Sequence, residues 1–75
     1  MTVAELIQEL EYLDPNAEVR FASQPNWPFE YDIKSVTSEV STETSIDPVV
    51  YLEEGRQIGY LPEEAKDELG WVGKW

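Results

Sequence analysis

The chain has no cysteine and no histidine, and it sets five basic side chains against sixteen acidic ones in 75 residues. Each absence removes a class of chemistry. Without cysteine there is no disulfide staple, no thiolate nucleophile and no sulfur ligand for a structural metal. Without histidine there is no imidazole base, no Ser–His or Cys–His pair and no imidazole metal ligand. Apolar runs fall far short of the ~20 residues that span a bilayer, and no basic-then-apolar leader opens the chain. The expectation is a cytoplasmic protein, not an enzyme, with no cofactor and no metal.

The formal charge of −11 sets a second exclusion. A polyanion repels nucleic acid and anionic membrane alike. The same field admits a basic protein, a basic peptide or a cation. It is equally consistent with solubility alone.

What is present suffices for a small globular fold. The hydrophobic share is 41%, with aromatic and β-branched residues throughout, unlike a disordered acidic tail. Residues 1–75 read as one domain with one core, in a size class that buries only about 60% of its unfolded surface.

Thr2 and Glu5 form a T-x-x-E capping box, with Met1 placed to staple onto Leu6. Val3, Leu6, Ile7, Leu10 and Leu13 then recur at helical spacing and define one apolar stripe. Glu5, Gln8, Glu9 and Tyr12 fall opposite. Asp14-Pro15 ends the helix in a turn. Glu18 to Ser23 reads as a strand with Val19 and Phe21 inward. Gln24 to Phe29 reads as a loop, because two prolines cannot sit in a central ladder. Tyr31 to Val40 reads as a longer strand whose apolar parity changes near Lys34-Ser35, the mark of a bulge. After a polar loop, Ser41 to Asp47, come Pro48 to Glu53 and Gln57 to Tyr60, joined by a tight turn at Glu54-Gly55-Arg56. Pro62 opens a short second helix with Glu63 and Glu64 in its first turn, and Gly70 ends it. Trp71 to Trp75 form a tail. The expected fold class is α+β, in the order α-β-β-β-β-α: an antiparallel meander packed by the amphipathic N-terminal helix.

Thr2-Val3-Ala4-Glu5-Leu6-Ile7 and Asn16-Ala17-Glu18-Val19 resemble the opening of a group of small bacterial and phage proteins of no assigned activity. In these a similar helix passes through Asp-Ala-Glu-Val into a strand; here Asn16 stands for the Asp. Gln24-Pro25-Asn26-Trp27-Pro28-Phe29-Glu30-Tyr31 and Gly59-Tyr60-Leu61-Pro62 are similar to further segments of such chains. The resemblance implies an intracellular α+β domain of mobile-element origin. It implies no catalytic residue and no cofactor.

Four features are candidates for function. Glu53-Glu54 are adjacent carboxylates, but on a strand neighbours point to opposite faces, which does not suit paired acid–base work. Asp14-x-Asn16-x-Glu18 copies the first three ligand positions of a calcium loop, yet Val19 stands where the loop needs Gly and Pro25 where it needs Glu. Trp27 and Phe29 lie in a stiff, proline-bounded segment, and aromatic anchors of this kind dominate interfaces. The other reading of that segment is a lid folded over one end of the core. Acidic i,i+4 pairs, Glu5 with Glu9, Glu63 with Asp67 and Glu64 with Glu68, make negative helix faces that suit a basic partner or simply follow from a composition acidic throughout, and Tyr12 joins the first of them. The partner-binding candidates are therefore Trp27, Phe29, Tyr12, Glu5, Glu9, Glu63 and Asp67. The favoured function is a protein-binding or accessory module. The alternative is an acidic inhibitor that imitates the phosphate backbone and occupies a nucleic-acid-binding protein. The chain itself is expected as a monomer or as a weak homodimer through an unpaired edge strand.

Overall fold

The computed structural model describes residues 1–71; Trp75, expected in an aromatic tail, lies outside them. The elements run α1 (Val3–Leu10), β1 (Arg20–Ala22), β2 (Phe29–Val36), β3 (Leu52–Tyr60) and α2 (Glu63–Glu68). The three strands form one antiparallel sheet in the order β1-β2-β3. The fold class is α+β.

Local sequence rules explain most element ends. The Thr2 amide donates to Glu5 Oε1 at 2.7 Å and the Glu5 amide donates to Thr2 Oγ1 at 3.1 Å, closing the capping box. After α1, Asp14 Oδ1 accepts from the Asn16 amide at 2.9 Å and the Asp14 carbonyl from the Ala17 amide at 3.0 Å, with Pro15 preset for the turn. Gly70 adopts φ 73° beyond α2. The Trp71 amide donates to the Lys66 carbonyl at 2.8 Å and the Gly70 amide to the Asp67 carbonyl at 3.1 Å, which is the Schellman pattern. The bulge expected at Lys34-Ser35 is there, as a register shift between Ile33↔Glu54 and Ser35↔Glu53.

Three expectations are corrected. First, the sheet has three strands, not four. Glu54-Gly55-Arg56 is the middle of β3 and no hairpin turn. Gly55 is there for close approach: a Cβ on it would stand 3.1 Å from Asp32 Cβ and 3.2 Å from the Asp32 carbonyl oxygen. Pro48–Tyr51 stays outside β3 and keeps one bridge, Val40↔Val49. Second, α1 does not cover the sheet. No residue of α1 is buried, and Val3, Ile7 and Leu10 are 56%, 59% and 42% exposed. The tertiary contacts lie between the strands instead. A three-residue β1 whose one large apolar side chain is Phe21 offers no floor for a helix. Third, Val19 is exposed rather than inward, and Phe21 and Ser23 are the half-buried residues of that segment.

Because α1 leans on its cap and not on a core, its stability is local. Thr2→Ala should cost about 1 kcal/mol of helix stability. The expected result is roughly fivefold faster amide exchange across α1, with the unfolding of the sheet unmoved.

The molecule is thinly buried. Leu61 is the one buried large apolar side chain among the described residues, joined by Pro28. The whole chain exposes 6423 Å², whereas a folded monomer of 8.6 kDa exposes about 4,700 Å². The excess is about 1,700 Å², of which the last four residues, even fully extended, would supply about 700 Å². The radius of gyration, 14.4 Å, likewise exceeds the ~11 Å of a compact chain this long.

Candidate contact surface

The β1–β2 loop holds the most organised non-regular backbone. Ser23 closes it: its amide donates to the Phe29 carbonyl at 2.9 Å, and the Phe29 amide donates to Ser23 Oγ at 3.1 Å and to the Trp27 carbonyl at 2.9 Å. Ser23 Oγ in turn donates to the Phe29 carbonyl at 3.1 Å. Pro25 and Pro28 restrict φ between these bonds. The Leu61 amide donates to the Pro28 carbonyl, so the two buried residues tie the loop to the end of β3. Phe29 pairs with Tyr60 across the β2–β3 ladder, and the rings stack with centroids 4.7 Å apart at 21°. Trp27 projects from this frame, 63% exposed. The segment is thus both anchored and presented. Pro28 and Phe29 face the fold and Trp27 faces out.

Tyr60 is the residue that sequence reasoning missed. The signal was its place at the end of a strand whose partner strand begins with Phe29, and it needed the register to be read. Three residues on, α2 starts with Glu63 and Glu64, so acidic side chains follow the aromatic group closely along the chain. Of the expected contact residues, the structure brings Trp27 and Phe29 together. It places Glu63 and Asp67 on α2, with Glu63 paired to Lys66 at 3.0 Å. Glu5, Glu9 and Tyr12 belong to α1 and its end, apart from this group. Glu5 is engaged in the cap and Tyr12 is almost fully exposed.

Electrostatics on the sheet are those of exposed ion pairs, with Glu30 alone half-buried. Arg20 lies between Glu18 at 2.8 Å and Glu30 at 3.0 Å. The Arg20 hydrogen bond, with its charge, holds Glu18 below the usual carboxylate range, and Arg20 is raised in return. Glu5 is lowered too, chiefly by the Thr2 amide that it accepts from. These shifts favour permanently charged groups, the opposite of what a general acid needs. Glu53 Oε1 accepts from Ser35 Oγ at 2.7 Å while Oε2 lies 3.7 Å from Lys34. Beside it is an open hollow of about 500 Å³ between β2 and β3, edged by Asp32, Glu54 and Arg56.

The calcium-like triplet is otherwise employed. Asp14 makes the turn and Glu18 binds Arg20. Among the described residues, no group of three or more carboxylates is gathered for a metal ion, and no helix is long and apolar enough to cross a membrane. Carboxylates occur on both helices, β2, β3 and the loops, which singles out no one element as a phosphate-backbone mimic. Comparison with protein-family models, with curated proteins and with solved structures returns no match.

Proposed function

We propose that this chain is a non-catalytic accessory module of the cytoplasm that binds a basic protein, with the Trp27 loop as anchor and the acidic side chains of α2 as rim. The observation that carries this reading is Trp27 itself: a large aromatic side chain, 63% exposed, on backbone already fixed by Ser23 and by the Pro28–Leu61 bond. Such a side chain gives up little entropy on binding and contributes large contact area. The surplus surface supports the reading in magnitude. An excess on the order of 1,000 Å² or more matches what one partner contributes to a stable interface. Charge supports the choice of partner, since a net −11 steers cations inward and rejects anions. The resemblance to bacterial and phage proteins is in keeping with a small accessory of this kind.

The test is capture by the purified chain, compared with Trp27→Ala. Truncating a central aromatic anchor costs about 2 kcal/mol or more, roughly thirtyfold in Kd. Binding should also weaken as salt rises. A Trp27→Ala protein that keeps its circular dichroism and holds every partner as tightly as the parent rules the reading out.

A further inference from the structure

A separate surface points to a second copy of this chain. β3 is the outermost strand of the sheet, nine residues long, and its far side has no backbone partner among the described residues. The residues that flank it show which groups face out. The Tyr51 carbonyl accepts from the Thr37 amide at 2.9 Å, and the Tyr51 amide donates to Thr37 Oγ1 at 3.0 Å, so Tyr51 faces β2. Beyond the other end, the Leu61 amide faces Pro28. Backbone groups alternate between neighbours on a strand, so those of Leu52 and Tyr60, each next to one of these inward groups, point away from the sheet, available to another strand; between them the register shifts opposite β2 interrupt the strict alternation.

The sequence of β3 is complementary to itself. We infer that two copies pair their β3 edges antiparallel about a twofold axis at Gly55. In that register Glu54 stands opposite Arg56 of the partner copy, and by symmetry the pair occurs twice. Leu52 stands opposite Ile58 of the partner copy, also twice, and Glu53 opposite Gln57. Neighbouring registers fail on charge: moving the axis to Glu54 sets two glutamates face to face, and moving it to Arg56 sets two arginines face to face. Opposite charges directly across strands are stabilising and like charges are not.

Two observations single out this edge. Arg20, Lys34 and Lys66 each have a carboxylate partner within the chain, whereas Arg56 has none among the described residues. In so acidic a protein, an unpaired arginine beside Glu54 at the middle of an open strand is a group awaiting a counter-charge. The pairing also closes. It yields a six-stranded sheet whose only remaining edges are the three-residue β1 strands, too short to recruit a third copy. The register shifts between β2 and β3 add twist, which suits a closed pair better than an extended stack. Repulsion between two chains of −11 acts mostly beyond the ~8 Å screening length of physiological salt.

Sedimentation equilibrium between micromolar and hundred-micromolar chain, in physiological salt, should show a monomer–dimer equilibrium. Arg56→Glu and Glu54→Arg should each weaken it by about tenfold or more, because each turns two attractive pairs into two repulsive ones. Mixing the two single variants should restore association, since the two acidic side chains at positions 54 and 56 of one variant then face the two arginines at those positions in the other. The double exchange E54R/R56E should dimerise like the parent and guards against a single variant that fails to fold. Monomer at every concentration, a dimer indifferent to Arg56→Glu, or folded variants that stay apart on mixing would each overturn the inference. Trp27→Ala leaves this edge untouched and should leave the dimer unchanged, so this result stands apart from that for partner binding.

Discussion

Leu61→Ala is expected to lower stability by about 2–3 kcal/mol, near the bottom of the range for buried leucine because the surroundings are open enough to relax. In most proteins that is one core position among many. Here Leu61 is the sole buried large apolar side chain among the described residues, 7% exposed, and domains of this length hold only about 4–11 kcal/mol in all. The loss therefore removes a large fraction of what there is. Urea titration followed by tryptophan fluorescence should show the midpoint fall sharply, with a partly unfolded baseline in buffer. Leu69→Ala, at a position 49% exposed, is the control and should shift the midpoint little. Equal effects at the two positions would show that Leu61 anchors nothing.

The second large effect is expected at Gly55. A Cβ there would meet Asp32 Cβ at 3.1 Å, the Asp32 carbonyl oxygen at 3.2 Å and Lys34 Cβ at 3.4 Å. These contacts are part of the β2 backbone or the root of a side chain, so they cannot swing aside. Gly55→Val adds two methyl groups beyond that Cβ and should cost about 3 kcal/mol through overpacking. The β2–β3 ladder is the main tertiary contact of the molecule, so its strain is global strain. The expected readout is loss of the β signal in circular dichroism and collapse of amide dispersion in NMR spectra. A well-dispersed spectrum with parental stability would mean that the strands separate here more easily than the structure indicates.

The same glycine explains where sequence reading stopped. Gly between Glu54 and Arg56 is a fair turn signal, and nothing local distinguishes a turn from a strand whose neighbour passes close by. The distinction lies in Asp32, far back along the chain on β2. Features set by a few adjacent residues were legible: the Thr2–Glu5 box, the Asp14–Pro15 turn, the Lys34 bulge and the Gly70 cap. Features that depend on what packs against what were not. The stripe of Val3, Ile7 and Leu10 defines an amphipathic helix correctly, but whether the sheet covers it depends on the width of β1. In the contact surface, Trp27 and Phe29 were legible as aromatic residues between prolines. Tyr60 was not, since only the pairing of β2 with β3 brings its ring onto Phe29.

So little of the chain is withheld from water that the free polypeptide should open often and be cut readily by proteases. Copies held by the partner proposed above would escape that fate. The standing level of this protein would then follow the supply of whatever shelters it, with unassembled surplus cleared and no dedicated regulator required.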